Sequence, residues 1–99
     1  MNPTETIEIS VVVPVFNEEG NLPILIPRLA DVLNHLGDVY EVIFVDDGSS
    51  DGSRKILKEM VSKYPFFRMI GLSENRGLST ALIAGMREAR GEKIVTLDS

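Results

Sequence analysis

The sequence predicts an α/β fold: a mostly parallel, four-stranded sheet with helices between the strands, forming half of a doubly wound, three-layer domain. Four short apolar runs point there first. They are Ile9 to Val13, Val42 to Val45, Met69 to Leu72 and Ile94 to Leu97. Rich in Val and Ile and nearly continuous, they have the pattern of strands buried on both faces. Between the runs, apolar residues recur at steps of three and four, the spacing of amphipathic helices. Each intervening stretch is also long enough for the helical crossover that parallel strands require, and such crossovers are right-handed.

Each element follows in order. Pro14 removes a backbone donor and should end the first strand. The first helix then carries Leu22, Leu25, Ile26, Leu29, Val32, Leu33 and Leu36 at helical spacing and stops at Gly37. His35, the single histidine, sits late in that helix, where a cation suits the helix dipole and a structural role is expected. After the second run, Ser49, Ser50 or Asp51 caps a helix that turns Ile56, Leu57, Met60 and Val61 inward, and Tyr64-Pro65 ends it. After the third run, Leu78, Leu82, Met86 and Ala89 mark the stripe of a third helix, closed by Gly91. Met60, Met69 and Met86 fall on core positions. The fourth run leads into Asp98-Ser99, where covering structure would normally follow. The expectation is one incomplete domain over residues 1–99.

Bulk composition narrows the function. Ninety-nine residues suffice for one domain, and 43% hydrophobic residues suffice for a packed core. A net charge of −5, from 10 basic and 15 acidic residues, argues against nucleic acid as the main partner, since phosphate backbones demand a basic face. The absence of cysteine excludes disulfides and thiolate metal sites. Met1 is followed by polar residues, not by the basic and apolar segments of a secretory signal. No apolar run approaches the ~20 residues of a membrane span. Gly-x-Gly-x-x-Gly and Gly-x-x-x-x-Gly-Lys-Ser/Thr are both missing, against a dinucleotide dehydrogenase and a P-loop enzyme.

In a doubly wound sheet, ligands sit at the C-terminal strand ends, near the switch in strand order. Polar residues gather at those ends. In Pro14-Val15-Phe16-Asn17-Glu18-Glu19-Gly20-Asn21, Phe16 offers a face to a nucleobase and Glu18 an acceptor to a base or ribose. Asn17 and Asn21 can form side-chain turns. The plain alternative is a polar loop capping the next helix. In Val45-Asp46-Asp47-Gly48-Ser49-Ser50-Asp51, adjacent carboxylates close a buried strand, where one can face a ligand and the other hold loop backbone. The alternative is an Asx turn with a helix cap. In Ser73 to Leu78, Gly77 permits close approach of backbone and Arg76 can meet phosphate, or the segment is a turn feeding a helix. Asp98 has the chemistry of a hard ligand for Mg²⁺ or Mn²⁺, and equally that of a turn residue.

Together these strings resemble glycosyltransferase family 2 and its GT-A fold. The matching pieces are Val11 to Glu19, Val45 to Gly52, Asn75-Arg76-Gly77-Leu78 and Thr96-Leu97-Asp98, from about Ile9 onward. The resemblance is greatest to the dolichyl-phosphate mannosyltransferase and bactoprenol glucosyltransferase branch. It implies the Rossmann-like, nucleotide-sugar-binding half of a GT-A domain. Pro14, Phe16 and Glu18 would line the base and ribose pocket, and Val45 and Asp47 would contact the nucleobase. Asp98 would be the first acid of the Asp-x-Asp metal motif, with Ser99 as its middle residue beside the donor and the second acid just beyond. The resemblance implies a divalent cation, a GDP- or UDP-hexose donor of mannose or glucose type and a polyprenyl phosphate acceptor. It places the full-length protein at the cytoplasmic face of a membrane, with this piece soluble and inactive alone. No catalytic residue is assigned within the chain. A nucleotide-binding module without catalysis and a family 2 enzyme acting on a saccharide acceptor are the alternatives. A receiver-type signalling domain would place its acids after the first strand rather than the second.

A half-sheet of this kind leaves an edge and an apolar face uncovered, so the chain is expected to self-associate. Sedimentation at tens of micromolar should show species larger than a monomer; a clean monomer contradicts the expectation.

Overall fold

The computed structural model describes residues 6–37 and 39–98. Their order is β1 (Ile9–Val15), α1 (Leu22–Leu36), β2 (Tyr40–Asp46), α2 (Ser53–Val61), β3 (Phe67–Gly71), α3 (Leu78–Glu88) and β4 (Lys93–Thr96). The strands form one parallel sheet in the order β3-β2-β1-β4. The chain winds outward from β1 through β2 to β3, then crosses back through α3 to the other side of β1. The switch in direction therefore lies between β1 and β4.

Alternation along the central strands explains the continuous apolar runs. Val11, Val13, Val42 and Phe44 face a core shared with Leu22, Ile26 and Leu33 of α1 and Leu57 of α2. Val12, Ile43 and Val45 face the opposite layer, against Ala81 of α3. Every second residue thus has an apolar partner on one side or the other. Gly37, at φ 77°, ends α1 in the expected left-handed conformation.

Several expectations fail for physical reasons. Pro14 does not end the first strand, since β1 continues to Val15. The Val12 carbonyl accepts from Leu97 N–H on the β4 side, and the Val15 carbonyl accepts from Asp47 N–H on the β2 side. By that alternation, Pro14 turns its donorless nitrogen toward β4, past the last paired residue Thr96, where no ladder bond is lost. The fourth run is not buried on both faces: every residue of β4 is exposed, because α3 packs over β1 and β2. Only part of the predicted α3 stripe meets the sheet: Leu82 and Ala89 pack, partly buried, against the core beneath the helix. Leu78 and Met86 are exposed, while Ala81 and Gly85 are buried. A Cβ on Gly85 would lie 2.3 Å from Val12 Cγ1 and 3.0 Å from Val45 Cγ2, so the helix approaches the sheet closely only because that atom is missing. In α1, Val32 and Leu36 are likewise exposed. None of Ser49, Ser50 or Asp51 is the first cap of α2, a position taken by Gly52, although the Asp51 carboxylate accepts from Ser53 N–H at 2.9 Å.

At the N-terminal end of the sheet a buried carboxylate fastens the layers. Glu41, 3% exposed, accepts from the Ser10 hydroxyl at 2.6 Å, from Arg90 N–H at 2.7 Å and from Arg68 Nη2 at 2.9 Å. Gly91 N–H in turn donates to the Ser10 hydroxyl oxygen at 2.7 Å. Burial raises the Glu41 carboxyl's pKa, but the bonds from Ser10, Arg90 and Arg68 together outweigh it and hold the carboxyl below its ordinary value. Glu41→Ala should lower the unfolding free energy by about 3 kcal/mol, measured by urea denaturation, because it strands the groups that the carboxylate satisfies. The sign of the pH dependence follows from the lowered value. The unfolded carboxyl takes up its proton first, so this stabilisation is complete above about pH 4.3 and is lost as pH falls through the folded value. The Glu41→Ala chain should lack that part of the acid dependence.

Candidate active site: a cleft at the carboxyl ends of the strands

The strand direction brings the segments after β1, β2, β3 and β4 to one rim of the sheet. Adjacent carboxylates close β2 there, and the structure gives them different tasks. Asp46, fully buried, turns to the α2 side. Its Oδ2 accepts from Arg54 Nε at 2.8 Å and from Ser49 N–H at 3.4 Å. Arg54 also donates to the Leu72 carbonyl, so one guanidinium ties the end of β2 to the end of β3. Asp47 turns the other way and gathers the loop after β3. Its carboxylate accepts from Arg76 N–H at 2.8 Å, Gly77 N–H at 3.0 Å and the Asn75 side-chain amide at 3.1 Å. Gly77 reaches φ 95°, a conformation that glycine adopts without a Cβ clash.

Gly48 makes this approach possible. It has φ 68°, and a Cβ there would stand 2.2 Å from the Glu74 carbonyl carbon and 2.3 Å from Asn75 N. The loop after β2 and the loop after β3 thus touch backbone to backbone.

The loop after β1 is joined to the loop after β2 by a denser set of bonds. Asn17 N–H donates to Ser49 Oγ at 3.0 Å, and Ser50 N–H donates to Asn17 Oδ1 at 2.9 Å. Glu18 N–H donates to Ser53 Oγ at 2.8 Å, and Gly52 N–H to the Glu19 carboxylate at 2.9 Å. The Asp51 carboxyl is held below its ordinary value, foremost by the Ser53 hydroxyl and further by backbone N–H donors, against an opposing effect of burial. The residue types in these loops are visible in the sequence, but their reciprocal bonding across more than thirty positions is not.

Between these loops lies a cleft of about 260 Å³. Pro14, Phe16, Glu18, Asp47 and Asp98 all border it, with Asn75, Gly77 and Leu78 closing one side. Five positions proposed from sequence are therefore brought together. Glu18, Asp47 and Asp98, far apart in the chain, share this one space. Val45 is not part of it: the residue is fully buried in the layer beneath α3, where the close approach of Gly85 covers its side chain. Ser99 lies outside the described residues. Arg76 does not border the cleft; its guanidinium pairs with Glu74 at 3.0 Å and is half exposed. The Asn75 side chain, which the sequence reading passed over, clamps Asp47 from the cleft wall. Phe16 presents an exposed ring at the mouth.

No group of three or more His, Cys, Asp or Glu side chains among the described residues is arranged to hold a metal ion. Asp98 nevertheless offers an exposed carboxylate on the cleft. One carboxylate fits the way Mg²⁺ and Mn²⁺ are commonly held, with further ligands drawn from substrate phosphates and water. No helix among the described residues is long and apolar enough to cross a membrane.

Residues 10–99 match the family described as Glycosyl transferase family 2. The chain belongs to this family. It is 39% identical over 101 aligned positions to an undecaprenyl-phosphate 4-deoxy-4-formamido-L-arabinose transferase of Aeromonas hydrophila, covering 100% of this chain and 31% of that protein. It is 43% identical to the protein of the same name from Pectobacterium carotovorum, covering 92% of this chain and 28% of that one. The chain thus spans about three tenths of the length of the curated relatives it matches. Among solved structures it is similar to the mannosyltransferase PcManGT of Pyrobaculum calidifontis in complex with GDP-Man and Mn²⁺. That similarity has a TM-score of 0.75 and 29% identity, over 98% of this chain and 28% of that one. It is also similar to S. aureus TarS in complex with UDP, with a TM-score of 0.77 and 26% identity, over 94% of this chain and 27% of that one. These neighbours are GT-A glycosyltransferases, and the parallel sheet with its helices has their α/β architecture.

In this family 2 chain the rim geometry rests on the missing side chain at position 48. Gly48→Ala is expected to destabilise the chain by about 2 kcal/mol or more, since both the left-handed backbone and the contact with Glu74 resist a Cβ. A thermal melt and chemical denaturation check this, and an unchanged midpoint contradicts it.

Proposed function

We propose that this chain forms the nucleotide-binding part of an enzyme that transfers a sugar from a nucleotide-diphosphate sugar to a polyprenyl phosphate. The observation that carries the proposal is the cleft shared by Phe16, Glu18, Asp47 and Asp98 at the switch point of a parallel sheet. Family membership supports the transferase chemistry. The undecaprenyl-phosphate relatives support the acceptor class, and the GDP-Man and UDP complexes of the neighbours support the donor class.

Each residue has a task in this reading. Phe16 offers its ring to the nucleobase. Glu18 carries a partly buried carboxylate able to accept hydrogen bonds from a ribose hydroxyl or a base N–H. Pro14 forms the floor, and Asp47 holds the Asn75 to Gly77 wall while bordering the same space. Asp98 would hold a divalent cation together with the donor's phosphates, and that cation would supply charge neutralisation for the departing nucleoside diphosphate. The polyprenyl phosphate, already anionic, would attack the anomeric carbon in line with the leaving group without needing full deprotonation by a base. For the sugar, the GDP-Man complex supports a hexose, whereas the curated relatives support a formamido-arabinose in the same role. A setting at the cytoplasmic face of a membrane is proposed for the whole protein, and the acceptor class supports its membrane part.

Titration calorimetry with GDP and UDP tests the reading. Binding is expected with a dissociation constant on the order of 1 mM, tightened by Mn²⁺. Glu18→Ala should weaken it by about two- to tenfold, the effect of one hydrogen bond. The chain alone should transfer no sugar, and a chain extended to the relatives' length should transfer it to a polyprenyl phosphate. Failure of both nucleotides to bind, with and without Mn²⁺, would sink the proposal. Tighter nucleotide binding without transfer by the extended chain would instead favour a binding module.

A further inference from the structure

Asn17 stands between Phe16 and Glu18, the residues offered to the nucleoside, yet it does not itself border the cleft. Its backbone has φ 51°, a left-handed conformation that Asn tolerates better than most residues because its short amide can bond locally. A residue in this conformation reverses the local backbone direction, so it sets how the side chains on either side of it point relative to each other. The conformation is fixed from outside. Asn17 Oδ1 accepts from Ser50 N–H at 2.9 Å and from Asp51 N–H at 3.3 Å, while Asn17 N–H donates to Ser49 Oγ at 3.0 Å. Glu18 N–H is then held by Ser53 Oγ at 2.8 Å. The first turn of α2 and the loop before it thus act as a mould for the loop after β1.

The geometry points to Asn17 as a positioning residue for nucleoside recognition: it aims Phe16 and Glu18 into the cleft by presenting its amide oxygen to the loop after β2. This inference rests on the nucleotide-sugar reading of the cleft and adds to it a residue that acts through its neighbours. The role divides into two separable parts. The side-chain oxygen provides the bond to Ser50 and Asp51, and the tolerance for positive φ provides the backbone shape.

Substitutions separate the two. Asn17→Asp retains both the acceptor oxygen and the conformational tolerance. Asn17→Gly retains the backbone shape and loses the oxygen, which keeps the chain able to fold. Asn17→Ala loses both. Calorimetry with GDP and UDP in Mn²⁺ is expected to give losses of about threefold or less for Asn17→Asp, and of about tenfold or more for Asn17→Ala, with Asn17→Gly between them. Backbone amide exchange of residues 16–19 and 49–53, read by NMR without nucleotide, should accelerate in Asn17→Gly and Asn17→Ala and stay slow in Asn17→Asp.

A double-mutant cycle distinguishes positioning from bulk stability. If Asn17 acts through its neighbours, adding Asn17→Gly to a Phe16→Ala/Glu18→Ala chain should weaken binding by less than about twofold, because the side chains it aims are already gone. The full loss persisting in that background overturns the proposal. So does an Asn17→Gly chain that binds nucleotide as wild type does and shows unchanged amide exchange. A wild-type chain that binds no nucleotide overturns the donor-site reading and this inference together. A wild-type chain that binds, beside an Asn17→Gly chain that binds equally well, overturns the positioning role alone.

Discussion

Parallel pairing of β1 with strands on both sides is the constraint that everything else inherits. β1 pairs with β2 from Ile9 to Val15 and with β4 from Ile9 to Val12. Since all strands run the same way, their carboxyl ends share one rim, and the polar residues that follow each strand have nowhere else to go. The return of the chain across α3 places β4 beyond β1, so the end of β1 meets the end of β4 at the switch point. Pro14, Phe16 and Glu18 arrive there from one side, and Asp98 from the other. β4 stops pairing at Thr96, opposite Val12, which leaves room for the donorless nitrogen of Pro14 beside the cleft.

The rim gathers carboxylates, and the chain settles them by unlike means. Asp46 is neutralised by Arg54 and taken out of the surface altogether. Asp47 is surrounded by N–H donors from a loop that it thereby shapes. Glu18 and Asp98 remain turned to the cleft. The distant end of the sheet solves a similar problem with Glu41, satisfied by Ser10, Arg68 and Arg90 N–H, and there the carboxylate serves to bind layers rather than ligands. Both ends hold a buried acid with donors, on both oxygens at Glu41 but only on Oδ2 at Asp46.

Much of the architecture was legible along the chain because burial on both faces of a parallel strand leaves a continuous Val and Ile signature, as in Val11-Val12-Val13 and Val42-Ile43-Phe44-Val45. Gly37 marked the end of α1 for an equally local reason. The contact face of α3 is legible only in part: Leu82 and Ala89 of the predicted stripe pack against the core, but Leu78 and Met86 do not, and the fully buried positions are Ala81 and Gly85. Hydrophobicity records what a residue would gain by burial, not how closely a backbone approaches its neighbour. The resemblance places Val45 at the site, whereas the close approach of α3 at Gly85 covers it.

By itself the sequence determined the order and type of the elements and which polar strings end the strands, because these depend on local propensity and on the period of apolar residues. Tertiary structure alone decided which of those strings touch: that Asp47 would close on Arg76 and Gly77, that Asn17 would lock onto Ser50, and that Val45 would turn inward while Asp98 faced the cleft. Such choices depend on strand register and on gaps of a few ångströms between loops remote in the chain, distances that no local pattern of residues encodes.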